Sequence, residues 1–415
     1  MYGRVEKAMD HGLSRMAGAI KESPTLKLNA LAASLLEKGE PVIHLGGGEP
    51  KAQFPQDALE KCTAYLAKRE VRYAPPAGIP PLKKAIVKYT EQHYQKAVKG
   101  ESVVVSVGGK QAIMAVLHCI VDPQEEVLFP APYWVSFPEM VTLAGGVPVV
   151  VRPQNDPFRP TLKEVEDKVT AKVRAIILNS PNNPSGIMYS RDFIAGMVAF
   201  CEKKDLYLLM DDTYNRLVFD GKTAPNPYEF AKAPLESSKL VVFNSVSKTY
   251  AMPGFRIGWA VGNPALIKAA AKIQSQQTSC AAVPSQWAAI GALEGDQSGV
   301  EALRSTLEKN RNAMLQSLAD FPRLKVTKPE ATFYCFPDFT AYEKDSGKLA
   351  EFLLNKARVL VVPGKEFGMD GHLRLSYCGS AQDVTEGVAR LRWALDPASP
   401  KEIVIGGKKV VRDWA

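Results

Sequence analysis

One stretch of the sequence, residues 244–259, holds a lysine where a long charged side chain is unexpected. The segment reads NSVSKTYAMPGFRIGW, with Lys248 between small hydroxyl residues and a Pro-Gly break, and with Arg256 eight positions later. A lysine held in a partly desolvated pocket loses its proton more easily, and a neutral amine can form a Schiff base with a carbonyl group. The segment therefore predicts an amine that acts on a carbonyl-bearing partner.

Polar, aromatic or glycine-rich residues also follow other apolar runs of the chain. Five such segments are GGKQ (108–111), APYW (131–134), NSPNNPSG (179–186), DDTY (211–214) and SVSK (245–248). In open parallel sheets, ligands bind beyond the carboxyl ends of the strands. Simple turns also use Gly, Asn, Asp and Ser, but they do not require a tryptophan, a lysine and a carboxylate at one edge. The pattern therefore favours a ligand site over turn chemistry alone.

A cofactor that carries an aldehyde, a phosphate and a pyridine ring would use all of these groups. Lys248 would bind the aldehyde as a Schiff base, and Asp211 would keep the pyridine nitrogen protonated, which makes the ring an electron sink. Trp134 would stack on the face of the ring. Asn183 and Tyr214 would reach the phenolic oxygen. These roles together describe pyridoxal 5'-phosphate attached through Lys248.

The phosphate of this cofactor would take its donors from two segments. Gly108 and Gly109 precede a helical pattern, and a helix N-terminus offers free N–H groups to a phosphate. Ser245, Ser247 and Arg256 add hydroxyl and guanidinium donors beside the lysine. A nucleotide-triphosphatase loop is not predicted, because a valine stands where its first glycine would be and a glutamine replaces the hydroxyl residue that binds magnesium. No metal site is predicted either, since the histidines lack metal-ligand spacing.

The elements that must position these residues alternate between short apolar runs and amphipathic segments. Between the runs lie helical patterns such as GKQAIMAVLHCIV and SRDFIAGMVAFCEKK, with apolar residues at three- and four-residue spacing. Strands that alternate with helices indicate an α/β fold with a largely parallel seven-stranded sheet covered by helices on both faces. The seven predicted strands are 102–107, 126–130, 147–151, 173–178, 206–210, 240–244 and 256–261.

The pattern changes after the last of these strands and predicts a second, smaller α+β domain. A long charged helix is expected at about 297–319, followed by the segments LKVTKPEATFYCFPDF and RVLVVPGKEFG. We therefore divide the chain into a large cofactor-binding domain (51–296) and a small C-terminal domain (297–395). Residues 1–50 are expected to pack with the small domain, and residues 396–415 form an extension without an assignment.

Composition excludes several classes of protein. Of the 415 residues, Lys and Arg account for 52 and Asp and Glu for 44, a formal net charge of +8. The basic residues alternate with acidic ones, so no nucleic-acid face is predicted. The six cysteines have no paired spacing, which fits free thiols in a reducing compartment. No apolar run is long enough to span a membrane, and the N-terminus lacks a secretory core. These features favour a cytoplasmic protein.

Nine ordered motifs resemble those of the class I aminotransferases of pyridoxal phosphate fold type I, in particular the bacterial aspartate (aspartate/prephenate) aminotransferase branch. The resemblance covers about residues 12 to 395. The motifs are GGGEP, YAPPAGIPPLKKAI, VGGKQAI, PAPYWVSFPEMV, NSPNNPSG, DDTY, SVSKTYAMPGFRIGW, VVPGKEFG and HLRLSYC.

The resemblance implies further roles at matching positions. Arg374 matches the arginine that grips the substrate α-carboxylate, with the backbone of Gly48 beside it; Trp134 and Asn183 also border the substrate. Tyr73 matches a tyrosine that reaches the cofactor phosphate of a neighbouring subunit, which implies a homodimer with shared active sites. Lys110 matches a lysine that binds the distal carboxylate of the substrate, assisted by a hydroxyl for which Ser23 or Thr25 is the candidate. The alternative is that Lys110 serves only the cofactor phosphate. The cofactor-bearing lysine also acts as the proton shuttle between substrate Cα and cofactor C4′.

The function that follows is transamination between an amino acid and a 2-oxo acid, with aspartate and 2-oxoglutarate as the lead pair. Alternatives within the fold are aminotransferases for alanine, aromatic amino acids, kynurenine or prephenate, and a C–S β-lyase. A pyridoxal phosphate-sensing regulatory domain is the alternative from another class. Two positions depart from the branch: Lys51 replaces a usual Asp, and Ala331-Thr332 stands where Gly-Ala is common. Both lie in segments that move when such a site closes, so they bear on side-chain specificity.

Overall fold

The structure is a computed structural model that describes residues 12, 14–20 and 24–414 of the chain. Its strands, in chain order, are β1 (Ile43–His44), β2 (Val103–Val107), β3 (Glu126–Pro130), β4 (Val147–Val151), β5 (Val173–Asn179), β6 (Tyr207–Asp211), β7 (Leu240–Ser245), β8 (Ile257–Val261), β9 (Tyr334–Cys335), β10 (Val359–Leu360), β11 (Val362–Pro363), β12 (Leu373–Ser376), β13 (Glu402–Ile405) and β14 (Lys408–Val411).

Helices lie before and between these strands. They are α1 (Arg15–Ala19), α2 (Pro24–Glu37), α3 (Gln56–Leu66), α4 (Pro80–Tyr94), α5 (Gly109–Ile120), α6 (Ser136–Leu143), α7 (Leu162–Glu166), α8 (Arg191–Lys204), α9 (Val246–Thr249), α10 (Pro264–Gln277), α11 (Val283–Glu294), α12 (Ser298–Ala319), α13 (Ser346–Ala357) and α14 (Ala381–Leu395).

A seven-stranded sheet occupies the centre of the molecule, with the strand order β2-β8-β7-β6-β5-β3-β4. Its pairs are parallel except that β8 is antiparallel to both β2 and β7. The prediction of a largely parallel seven-stranded sheet flanked by helices is confirmed. Because β8 runs against its neighbours, its first residue lies at the same edge as the last residues of the other six strands.

Both faces of this sheet are buried, which explains why its strands read as continuous apolar runs. Side chains alternate between the two faces along a strand. In β6, Leu208 and Met210 join one hydrophobic core, with α4 and α8, whereas Leu209 joins another core beneath α5 and α6. This alternation also decides which polar residues at the strand ends face the same side.

A separate hydrophobic core lies in the C-terminal part of the chain. It contains Phe339, Leu353 and Trp393, together with Leu28 and Ile43 from near the start of the described residues. Strand β1 pairs in parallel with β10, and β11, β12 and β9 form a three-stranded sheet. Residues 24–50 thus contact the C-terminal core, while the boundaries of the two domains remain a prediction.

The C-terminal extension folds as a hairpin of β13 and β14 on the small core. Ile405 is buried, and Lys408 forms an ion pair with Glu40, which also pairs with Arg358. Arg412 is buried and donates to the carbonyl oxygens of Pro397 and Ser399 at 2.8 and 3.0 Å. The hairpin therefore ties the end of the chain to the segment that precedes β1. Across the described residues, no helix is both long and apolar enough to traverse a bilayer.

Candidate active site

A cavity of about 290 Å³ opens at the sheet edge where the strands β5, β6 and β7 end. All but three of the predicted site residues line it. The lining consists of Gly48, Gly109, Lys110, Ile113, Trp134, Asn179, Asn183, Asp211, Thr213, Tyr214, Ser245, Ser247, Lys248, Pro253, Arg256, Tyr334 and Arg374.

Lys248 lies in a single helical turn, α9, that begins directly after β7. Ser245 caps this turn by accepting a hydrogen bond from the backbone N–H of Ser247. The turn carries the half-buried Lys248 into the cavity, where its Nζ donates to the backbone oxygen of Gly48 at 2.5 Å. Burial lowers the pKa of Lys248 to about 8, with the charge of Arg374 as a further cause. A fraction of the amine is therefore neutral near physiological pH, as a nucleophile or a base requires.

Asp211 is the last residue of β6 and is buried. Its Oδ1 accepts a hydrogen bond from the Thr213 hydroxyl at 2.8 Å, and its backbone oxygen accepts one from the Asn179 amide at 3.0 Å. Burial raises the pKa of Asp211 to about 6, whereas the bonds from Thr213 and the charge of Lys248 act in the opposite direction. A buried carboxylate of this kind can hold a protonated ring nitrogen by an ion pair.

The turn between β2 and α5 forms an anion cradle. Gly108 has a φ of 83°, and a Cβ at this position would lie 2.5 Å from Nη2 of Arg256. A Cβ at Gly258 would lie 2.2 Å from the backbone N of Gly109. Two glycines are therefore required for the turn to approach β8 and Arg256. The first N–H groups of α5 and the guanidinium of Arg256 border the same corner, which suits a phosphate.

Arg374, from β12, lies on the wall opposite the sheet. Its Nη1 donates to Oδ1 of Asn183 at 3.1 Å, and its Nη2 donates to the backbone oxygen of Gly46 at 3.0 Å. Its guanidinium stacks on the rings of Tyr334 and Phe367, with the guanidinium carbon 4.3 and 5.1 Å from the ring centroids. The Nε atom is buried and has no hydrogen-bond partner among the described residues. This donor fits a carboxylate ligand.

Three more side chains complete the walls. The hydroxyl of Tyr214 lies 3.3 Å from that of Tyr334. The Nζ of Lys110 lies 5.0 Å from the ring centroid of Trp134. Lys110 is exposed at the rim of the cavity, although burial of its ammonium and the charge of Arg256 lower its pKa.

The charges of the lining residues favour an anionic ligand. The four cationic side chains, from Lys110, Lys248, Arg256 and Arg374, face the single carboxylate of Asp211. A ligand with a phosphate and a carboxylate would compensate this excess of positive charge. If the ligand also carries a ring with a protonated nitrogen, that nitrogen would pair with Asp211. The buried Nε of Arg374 and the glycine-walled corner at α5 are consistent with such a ligand. The residues present therefore fit pyridoxal 5'-phosphate together with an amino acid.

Three predicted residues do not line this cavity. Gly108 lies beside the cavity residue Arg256, whose Nη2 would be 2.5 Å from a Cβ at this position. Tyr73 is 90% exposed and does not belong to the lining of the cavity. Ser23 falls outside the described residues. No cluster of three or more His, Cys, Asp or Glu side chains suited to a metal occurs in the described part of the chain.

The sequence interpretation missed three polar residues of the site. Asn179 and Thr213 both hold Asp211, and they stand in the NSPNNPSG and DDTY motifs, where their positions at strand ends were a usable signal. Tyr334 lies within the apolar segment TFYCF. Nothing in that segment distinguishes its ring from an ordinary core tyrosine.

Comparison with known proteins places the chain in one family. The family model "Aminotransferase class I and II" matches residues 40–391. The aspartate aminotransferase of Streptomyces avermitilis is 37% identical over 93% of this chain and 97% of its own. The aspartate/prephenate aminotransferase of Thermus thermophilus is 35% identical over 93% of this chain and all of its own. The solved structure of the Thermus thermophilus aspartate aminotransferase with maleate superposes with a TM-score of 0.87, at 36% identity, and covers 92% of this chain and 99% of that chain.

Proposed function

The chain belongs to the class I and II aminotransferases, and we propose that it transfers the amino group of aspartate to a 2-oxo acid, with 2-oxoglutarate as the lead acceptor. The observation that carries this proposal is the cavity at the sheet edge, where a lysine of lowered pKa faces a buried carboxylate and three further cations. The reaction has two halves. One amino acid leaves its nitrogen in the site and departs as an oxo acid, and a second oxo acid takes the nitrogen up.

The cofactor of this family is pyridoxal 5'-phosphate, and the residues that would hold it belong mainly to the sheet. When bound, it supplies an electron-withdrawing ring for the substrate Cα and a place to store the nitrogen. Asp211 would pair with the ring nitrogen, and Trp134 would cover one ring face. Asn183 and Tyr214 would donate to the phenolic oxygen. The phosphate would contact the N-terminal groups of α5, namely Gly108, Gly109 and Lys110, and the side chains of Ser245, Ser247 and Arg256.

Lys248 is proposed both to carry the cofactor and to move the proton of the substrate Cα. Its lowered pKa supports both roles, because the neutral amine is the form that attacks an aldehyde or accepts a proton. The hydrogen bond to the backbone oxygen of Gly48 directs Nζ toward the substrate wall. A base at this position can reach only a proton that faces it, so the orientation of the substrate Cα decides whether transfer occurs.

Arg374 is proposed to orient the substrate by its α-carboxylate. Its Nη1 and Nη2 already bond to Asn183 and Gly46, and the unpartnered Nε leaves a donor for the incoming carboxylate. Two stacked rings fix the plane of the guanidinium. A bidentate pair in this plane, with Asn183 and the backbone of Gly48 beside it, would hold the Cα close to Lys248.

The preference for an acidic side chain is proposed to reside in Lys110. The relatives from Streptomyces avermitilis and Thermus thermophilus carry the names aspartate aminotransferase and aspartate/prephenate aminotransferase. The Thermus thermophilus aspartate aminotransferase was solved with maleate, a dicarboxylate. Lys110 brings an ammonium to the rim beside Trp134, where it could pair with a second carboxylate. Ser23 remains the proposed assisting hydroxyl, and it lies outside the described residues.

A homodimer with shared active sites is also proposed. Tyr73 is 90% exposed, and three apolar side chains of the same region, Leu59, Leu66 and Val71, are 45 to 53% exposed. An exposed apolar group of this kind is typical of a surface that a second copy covers. Analytical ultracentrifugation at working concentration tests the dimer, and an active monomer would contradict it.

A donor and acceptor screen tests the reaction itself. The purified chain, loaded with pyridoxal 5'-phosphate, is mixed with single amino acids while the cofactor spectrum is recorded, and oxo acids are then added. We expect aspartate to convert the spectrum fastest and 2-oxoglutarate to restore it. Conversion by alanine or phenylalanine at the rate of aspartate would reject the acidic preference. A spectrum that no amino acid changes would reject transamination.

A further inference from the structure

The hydroxyl of Tyr94 forms three side-chain hydrogen bonds on the face of the sheet opposite the cavity. Tyr94 is the last residue of α4 and is buried. Its hydroxyl donates to Oδ2 of Asp212 at 2.7 Å and accepts from the amides of Asn215 and Asn244 at 2.9 and 2.8 Å. A tyrosine hydroxyl has one proton to donate and accepts at its oxygen, so this group has its bonding capacity filled.

Each partner of Tyr94 stands next to a cavity residue in the chain. Asp212 follows Asp211, Asn215 follows Tyr214, and Asn244 precedes Ser245. Asp211, Tyr214 and Ser245 line the cavity. Their neighbours Asp212, Asn215 and Asn244 bond to the hydroxyl of Tyr94 on the other side of the sheet.

The pleat of the strands explains this alternation. Successive side chains of a strand point to opposite faces of the sheet. In β7, Val242 belongs to the core that contains Tyr94, and Phe243 belongs to the core beneath α5. Asn244 therefore shares the face of Val242, and Ser245 shares the face of Phe243. The parallel pairing of β6 with β7 extends one residue beyond β6, because the backbone N–H of Asp212 donates to the backbone oxygen of Phe243 at 3.0 Å.

Few other side-chain hydrogen bonds among the described residues hold the partners of Tyr94. Asp212 is buried, and its Oδ1 has no hydrogen-bond partner among the described residues, so the bond from Tyr94 is the one side-chain bond that holds this carboxyl group there. The amide oxygen of Asn215 is held in turn by the hydroxyl of Tyr89 at 3.2 Å. Loss of the Tyr94 hydroxyl would therefore leave Asp212, Asn215 and Asn244 each without one side-chain bond, in the turn after β6 and near the end of β7.

We propose that Tyr94 is a positioning residue that fixes the mutual spacing of Asp211, Tyr214 and Ser245 from behind the sheet. The three residues would contact the ring nitrogen, the phenolic oxygen and the phosphate of the cofactor, so this inference rests on the proposed function. One hydroxyl thereby links the turn that carries Asp211 and Tyr214 to Ser245, which comes later in the chain, at the end of the next strand. Its effect is on how firmly the cofactor is held, and the substrate wall around Arg374 lies outside the network.

The test compares Tyr94→Phe with Tyr228→Phe. Tyr228 is a matched control: it is buried, its ring packs against Tyr94 with centroids 5.8 Å apart, and its hydroxyl donates to the backbone oxygen of Val261 at 3.2 Å. Both changes delete one buried hydroxyl and keep the ring. Release of pyridoxal 5'-phosphate from each holoenzyme is measured on serial dilution, together with the unfolding midpoint at saturating cofactor and the KM for aspartate.

We expect Tyr94→Phe to weaken cofactor retention about tenfold, because three polar groups lose a partner, and Tyr228→Phe to change it by less than about twofold. The KM for aspartate at saturating cofactor should stay near that of the unaltered protein in both variants. Equal cofactor retention in the two variants, whether both normal or both weakened, would overturn the proposal. An unaltered protein that retains no cofactor would instead refute the proposed function.

A second pair of variants keeps the test decisive if Tyr94→Phe fails to fold. Asn244→Ala removes the amide beside Ser245, and Asn215→Ala removes the amide beside Tyr214. Each should weaken cofactor retention, and the double variant should lose less than the product of the two single effects, because both act through one hydroxyl. Normal retention in both single variants, or strictly multiplicative losses, would contradict the role of Tyr94 as their common anchor.

Discussion

The two walls of the cavity are built in different ways. On the sheet wall, Asp211 and Lys248 stand at or just beyond the ends of adjacent strands, and the strand order alone brings them together. On the opposite wall, Gly48, Tyr334 and Arg374 come from separate segments around the small core. The sheet wall follows from one repeated pattern, whereas the other wall depends on long-range packing.

The difference separates two tasks. The sheet wall holds the residues proposed to fix the cofactor, and the opposite wall holds those proposed to orient the substrate. The bond between Arg374 Nη1 and Asn183 Oδ1, at 3.1 Å, joins the walls directly. Apart from this link, changes on the sheet wall should chiefly alter cofactor retention, and changes on the opposite wall should chiefly alter substrate use.

The largest effect should come from the sheet wall at Lys248. In Lys248→Ala the amine that carries the cofactor and moves the Cα proton is absent, so kcat should fall by up to roughly 10⁴-fold. The visible absorbance of bound cofactor should lose its covalent, borohydride-trappable component, while the unfolding midpoint stays close to normal. A variant that retains both the trappable adduct and normal turnover would contradict the assignment of Lys248.

A smaller but general loss is expected on the opposite wall at Arg374. Arg374→Ala leaves the substrate α-carboxylate without its buried partner, which costs about 2–5 kcal/mol, or roughly 30- to several-thousand-fold in kcat/KM. The loss should be similar for aspartate and alanine, because both carry the same α-carboxylate. Equilibrium dialysis should show normal cofactor retention. Loss of the cofactor itself would mean that the two walls do not divide the tasks.

Lys110 should show a selective effect. Because its ammonium is exposed at the rim, we expect Lys110→Ala to lower kcat/KM for aspartate roughly 10- to 150-fold, which corresponds to a loss of about 1.5–3 kcal/mol. Values for alanine and phenylalanine should change little. An equal loss for all three donors, with weaker cofactor retention, would place Lys110 with the phosphate donors alone.

The smallest expected effect is the pH dependence of cofactor uptake by Lys248, which also depends on the charge of Arg374 on the opposite wall. Burial and the charge of Arg374 lower the pKa of Lys248 to about 8, and only the neutral amine attacks an aldehyde. Uptake of pyridoxal 5'-phosphate by the cofactor-free chain should therefore speed up about tenfold between about pH 7 and 9 and then level off. Stopped-flow absorbance measures this rate.

The same measurement on Arg374→Ala tests the cause of the shift. Removing a nearby positive charge favours the protonated amine, so the profile should move to higher pH. An unchanged profile would show that the charge of Arg374 does not contribute to the lowered pKa of Lys248.

The sequence predicts the two walls unequally for physical reasons. The seven sheet strands are buried on both faces, so each produces an apolar run that ends in polar residues. In contrast, β9, β10 and β11 have two residues each, which is too short for any periodicity. The apolar pattern therefore cannot identify Tyr334 as a site residue. Arg374 was predicted from the family resemblance, and not from the pattern of its own strand, β12.

The C-terminal hairpin shows a signal that was present but not used. The tail contains the apolar segment EIVI, a Gly-Gly pair and then KKVV, and two apolar runs joined by two glycines are typical of a tight hairpin. The structure forms β13 and β14 around this pair. What the sequence could not predict is the surface on which the hairpin packs, because that contact includes the ion pair of Lys408 with Glu40, far away in the chain.

The pairing of β1 with β10 has a consequence for the order in which the protein is made. Ile43 pairs with Val359 and His44 with Leu360, so β1 must wait for most of the chain to be synthesised before its partner exists. The strands of the central sheet, by contrast, all lie between residues 103 and 261 and can assemble earlier as the chain emerges from the ribosome. A nascent chain would thus complete the cofactor half of the cavity first, and the half that chooses the substrate would form only after β10 and β12 have emerged.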